Sequence, residues 1–131
     1  SVRDGAVTKM TKLVPEIKAE WTEALRSGRY KQGHNGLRYK DIYCCLGVLC
    51  DIAVKHNVIS VKVDSDYHVY EGAVGVPPQE LIQWAFGTDK YMPKDQYVVE
   101  TAEHGRRNLI FCNDLARYTF SKIADLIERD L

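Results

Sequence analysis

The chain has 131 residues, with 18 basic and 18 acidic side chains, 45% apolar residues and 10% aromatics. This is the make-up of one ordinary globular domain, and it excludes a disordered tail, a collagen-like rod and a coiled coil. Zero net charge stands against a general nucleic-acid coat protein, and the longest apolar run, Ile42 to Cys50, is too short to span a membrane.

Residues 1–12 read as a polar lead-in with no apolar centre of the kind a signal peptide needs. Residues 13–131 are predicted to form a single α+β domain, with about four helices packed on a small antiparallel β-sheet. Val14, Ile17, Trp21, Ala24 and Leu25 follow helical spacing, with Pro15 suited to the first turn and Gly28 to the stop. A basic stretch follows, in which Gly33 and Gly36 around His34-Asn35 predict a tight turn flanked by Tyr30 and Leu37. Asp41 is expected to cap a second, buried helix over Ile42 to His56, ended by Asn57; a strand over 42–50 is the competing reading. Ile59, Val61 and Val63 alternate on one face, and the turn Asp64-Ser65-Asp66 joins them to a strand over Tyr67 to Tyr70, which predicts a hairpin. Pro77-Pro78 opens a short helix through Phe86, closed by Gly87. Gln96 to Glu100 is a strand candidate for pairing with the hairpin, and Glu103 to Arg107 is read as a charged loop. A helical turn over Leu109 to Leu115 precedes a final helix from Phe120 to Asp130, capped by Thr119. Its stripe of Phe120, Ile123, Ala124 and Ile127 is expected in the core or at a dimer contact.

Four cysteines, Cys44, Cys45, Cys50 and Cys112, are too few and too closely set for a disulfide scaffold. Reduced core thiols in a reducing cytosol are the expectation. Zinc held by these thiols with His34 or His56 is the alternative, against which stands the lack of any CxxC or HxxxH pair. No cofactor or metal is predicted, and no complete catalytic set can be picked out.

The zero charge is a cancellation. Residues 1–62 hold 11 basic and 6 acidic side chains, whereas residues 63–131 hold 7 and 12. Arg26, Arg29, Lys31, Arg38 and Lys40 fall within one stretch without an acid, interleaved with Tyr30, Gln32 and Tyr39. Guanidinium groups bind phosphate or carboxylate bidentately, and glycine lets backbone N–H groups approach an anion. Arg26, Arg29, Tyr30, Lys31, Gln32 and Arg38 are therefore the candidate contact surface. A solvated loop paired with the chain's own acids is the competing account. Asn113-Asp114 is a second candidate, able to hold a metal or water, or to cap a helix. The histidines His34, His56, His68 and His104 are scattered and read as surface or loop residues.

Three blocks of sequence mark a resemblance: Trp21 to Arg38 (WTEALRSGRYKQGHNGLR), Tyr43 to Ala53 (YCCLGVLCDIA), and Asn113-Asp114 with Thr119 to Glu128 (TFSKIADLIE). Together they resemble a family of small uncharacterised proteins common in tailed phages and bacterial prophages. The resemblance implies an accessory protein working in host cytoplasm, acting on host machinery or defences; it carries no activity with it. The expected function is a non-enzymatic binding module for a host protein or a small anionic, nucleotide-like ligand. A nucleotide- or phosphoester-processing enzyme using the basic turn and Asp114 is one alternative. A nucleic-acid binder is another, less favoured. No membrane partner is expected, and a homodimer stays open.

Overall fold

A computed structural model describes residues 12–131; apart from Lys12, the polar lead-in lies outside the described residues. Helix α1 spans Pro15–Arg26, with its proline at the first position and Gly28 following in the left-handed region at φ 79°. It buries Ile17, Trp21, Ala24 and Leu25, and the Trp21 indole donates to the Cys45 carbonyl at 3.0 Å, pinning α1 to the next helix.

The basic stretch folds into three two-residue strands, β1 (Lys31–Gln32), β2 (Arg38–Tyr39) and β3 (Ile42–Tyr43). The turn between β2 and β3 contains Lys40, at φ 54°. Helix α2 therefore begins later than the sequence suggests, at Cys45, and runs to Lys55. Asp41 is exposed in the turn before β3; the capping acceptor is the Cys44 thiol, which takes the Gly47 N–H at 3.4 Å. The helix reading thus holds from Cys45 onward, and the strand reading only for Ile42 and Tyr43, where a short strand leads into the helix. Asn57, at φ 61°, follows the helix end as expected.

Strands β4 (Val61–Asp64) and β5 (Tyr67–Tyr70) form the predicted hairpin, with Ser65 and Asp66 both at positive φ. The expected apolar face runs out of core, however: Ile59 is buried, but Val63 at the hairpin tip is 65% exposed. Helix α3 (Gln79–Phe86) closes on Gly87 at φ 67°.

Strand β6 (Val98–Thr101) does not join the hairpin. It pairs with β7 (Gly105–Asn108), so the charged loop is itself a turn and a strand, forming a separate two-stranded sheet. The Glu100 N–H donates to the Asp130 carboxylate at 2.7 Å, and its carbonyl accepts from the Arg129 guanidinium. Helix α4 (Leu109–Asp114) is capped by the Asn108 side chain, and α5 (Phe120–Asp130) by Thr119.

The main sheet has the order β1-β3-β2-β5-β4. Its ladders are antiparallel except β1–β3, which is parallel. The fold is a single α+β domain with one continuous core. Trp21, Leu46, Leu49, Leu81, Ile123 and Ile127 are among its most deeply buried side chains. Phe120, Ile123, Ala124 and Ile127 all lie in that core.

Candidate anion-binding cleft

Strand register decides where the basic residues point, since side chains alternate between the two faces of a sheet. Arg38 stands opposite Tyr43, and Tyr39 opposite both Ile42 and Tyr67. The first pair faces α2; the second faces outward. On the outward face Tyr39 and Tyr67 meet edge-on at 4.8 Å, with Lys40 Nζ 5.4 Å from the Tyr39 ring. They border a hollow of about 180 Å³ with His34, Asn35 and Ile42.

On the α2 side a cleft of about 350 Å³ is lined by Arg29, Tyr30 and Lys31 from the chain before and within β1, by Asp41 and Tyr43, and by Asp51 and Lys55 of α2. The Tyr30 hydroxyl donates to Asp51 at 2.5 Å, and Lys55 sits 3.2 Å from the same carboxylate. The Tyr30 and Tyr43 rings meet edge-to-face at 4.9 Å, a favoured aromatic geometry. The Arg38 guanidinium lies 4.6 Å over the Tyr43 ring, and its Nε donates to the Lys40 carbonyl at 2.7 Å. Burial, and then Asp51, push the Tyr30 phenol above its usual range, while Asp51 holds the Lys55 ammonium charged. Both tyrosines thus stay protonated donors at neutral pH.

Not all the candidates reach this cleft. Arg26 is turned to α5, where it bonds Asp125 at 2.7 Å and Glu128 at 2.8 Å. Arg29 lines the cleft but also pairs with Glu23 at 2.9 Å. Lys31 is exposed, with no ion-pair partner among the described residues.

Gln32 and Asn113 serve the fold. Gln32 donates to Asn113 Oδ1 and to the Tyr118 carbonyl, both at 2.9 Å, and accepts the Phe120 N–H at the start of α5. Asn113 is fully buried; it accepts from the Cys45 N–H at 3.2 Å and donates to the Gly33 carbonyl at 2.9 Å. Its amide also donates to Asp114 at 2.8 Å. Asp114 is half-buried there and is not part of the cleft wall.

All four cysteines are free and buried. Burial pushes the Cys44 and Cys112 thiols up to about 11, leaving them protonated at neutral pH. Among the described residues no three His, Cys, Asp or Glu side chains gather as a metal set. No helix among them is long and apolar enough to cross a membrane.

A family model described as a domain of unknown function, DUF8296, matches residues 13–131. The chain belongs to this family. No curated protein and no solved structure matches it.

Within this DUF8296 domain the cleft owes much to residues that sequence reasoning did not single out. Tyr43, Asp51 and Lys55 reach it only because β3 runs straight into α2, and Asp51 and Lys55 then stand one helical turn apart on the same side. His68 departs from the surface role expected of it: it is half-buried, on the same face as Arg38. The signal that could have found it was the alternation of β5, which puts His68 and Tyr70 on one face.

Proposed function

We propose that this chain is a non-enzymatic binding module of the phage accessory kind, taking an anionic group of a small, nucleotide-like ligand in the cleft between β1, β3 and α2. The proposed setting is the cytoplasm of a bacterial host, where it would act on host machinery or defences. That setting rests on the three motif blocks and on the four free, buried thiols.

The observation that carries the reading is the composition of the cleft wall. Three successive residues, Arg29, Tyr30 and Lys31, share it with a second tyrosine ring and with Lys55. Lys31 brings a charge with no ion-pair partner among the described residues, Arg29 an exposed guanidinium, and the two rings an apolar wall on which a planar group can lie. The two carboxylates of the cleft are already engaged or set aside: Asp51 holds Tyr30 and Lys55, and Asp41 sits in the strand turn.

The test compares wild type with an Arg29→Ala/Lys31→Ala variant in a thermal-shift panel of nucleotides and phosphorylated small molecules. Both side chains are exposed and make at most a surface ion pair, so the variant is expected to fold with near-native stability. Wild type is expected to be stabilised by at least one phosphorylated compound, and the variant to lose that stabilisation. Identical profiles for the two proteins would end the assignment to this cleft.

A further inference from the structure

Two buried polar side-chain atoms among the described residues lack a hydrogen-bond partner: His68 Nδ1 and the Tyr70 hydroxyl. Buried polar groups are nearly always satisfied, so an orphan needs an explanation, and two orphans together suggest a missing common partner. These two lie on one strand, two residues apart, and so on the same face of the sheet; their rings stack at 6.5 Å between centroids. The Tyr39–Tyr67 pairing of β2 with β5 sets Arg38 opposite His68 on that same face. Tyr70 is 1% exposed, and Arg38 and His68 are half-buried. Arg38 spends its Nε on the Lys40 carbonyl, and the rest of its guanidinium lies close enough to the Tyr70 hydroxyl to pull the phenol pKa down against the larger upward push of burial, without a well-formed hydrogen bond between them.

We propose that Arg38, His68 and Tyr70 form a binding site for a phosphate group. All three present donors: the guanidinium fork, the phenol O–H, and the imidazole Nδ1–H in that tautomer. Three donors on one sheet face suit a group with several terminal oxygens. Arg38 lies against Tyr43, whose ring also walls the cleft. This inference rests on the reading of the α2 side of the sheet as anion-binding and names the residues that would hold the phosphate itself. Burial and the neighbouring guanidinium depress the His68 pKa, so its ring is neutral at neutral pH and acts as a hydrogen-bond donor rather than a charge.

The full chain is titrated with inorganic phosphate at constant ionic strength while the His68 ring resonances are followed by NMR. Their assignment comes from their loss in His68→Gln. The expected result is a saturable shift with phosphate and none with chloride. Tyr70→Phe is expected to weaken phosphate binding about tenfold, the usual scale for a hydrogen bond to a charged group, and Arg38→Gln to abolish it. Acetate tests the acceptor: binding as tight as phosphate would overturn the phosphate assignment. No saturable shift, or equal affinity in wild type and Arg38→Gln, overturns the site, and so does unchanged affinity in a folded Tyr70→Phe. If Tyr70→Phe fails to fold, Arg38→Gln decides alone, since that side chain is half-exposed. Phosphate binding that survives Arg29→Ala/Lys31→Ala, with no nucleotide response in wild type, would keep this site and end the wider reading. A nucleotide response without a His68 shift would do the reverse.

Discussion

Gly47 shows how tightly one atom can set the position of the basic turn. A Cβ at this position would stand 1.8 Å from the Leu37 carbonyl oxygen, far inside contact distance. That carbonyl also accepts the Cys44 N–H at 3.1 Å, so β2 is seated directly on the first turn of α2. Gly47→Ala is expected to cost several kcal/mol, because backbone rather than a flexible side chain blocks the added methyl. Thermal melts followed by circular dichroism will read it as a large fall in melting temperature, and a near-native melt would contradict the packing described. Asn113 makes a related point. An amide beside a carboxylate attracts notice in a sequence as a ligand pair, yet its partners Gly33 and Cys45 are 80 and 68 residues away. Nothing in its neighbourhood along the chain announces them.

At the scale of elements, legibility followed the range of the forces involved. Helices α1, α3 and α5 could be placed to within a residue or two because their stops and starts are local: Pro15 and Gly28, Pro78 and Gly87, and Thr119. The Thr119 hydroxyl accepts the Lys122 N–H at 3.1 Å, and Thr119→Ala is expected to destabilise the protein by about 1 kcal/mol. A urea denaturation curve checks this, with a lowered midpoint and an unchanged slope. The sheets were harder to read. Strands of two residues leave almost no alternation to detect, and the parallel β1–β3 ladder depends on a loop returning through Leu37. The β6–β7 pair was hidden by charge, since Gly-Arg-Arg-Asn resembles a loop and only its partner strand makes it β. The cleft inherits this gap. Its basic members could be named from the chain, but its aromatic and acidic walls come from elements whose pairing the chain does not display.

At the scale of the molecule, the opposed charges of the two halves are mostly left unpaired with each other among the described residues. Of the described ion pairs, only Arg26 with Asp125 and Glu128 joins a cation of the first half to acids of the second. The others stay within one half, as in Arg29–Glu23, Lys55–Asp51 and Lys122–Glu103. Ionisation frames the stability at both ends of the pH scale. Arg29 lowers the Glu23 pKa, and Arg26 that of Glu128, from the ordinary 4.5. Stability from these groups is present above that value and lost as pH falls through their lower folded values. Cys44 moves the other way, from 9.0 to about 11 through burial, so its contribution holds below 9.0 and is lost as pH rises through 11. Urea midpoints measured across pH are expected to form a plateau from about 5 to 9, declining on either side. A midpoint that kept rising into the acid range would contradict the carboxylate pairs. The contact of Arg129 and Asp130 with Glu100 has a separate consequence, for how one molecule meets another. Strand β6 turns the N–H and carbonyl of Glu100 away from β7, as a sheet does where it would accept its next strand. The end of α5 fills that place with one donor and one acceptor, imitating a neighbour with two side chains. The small sheet is thereby closed to strand addition at that position, so crowded copies find no adhesive margin there.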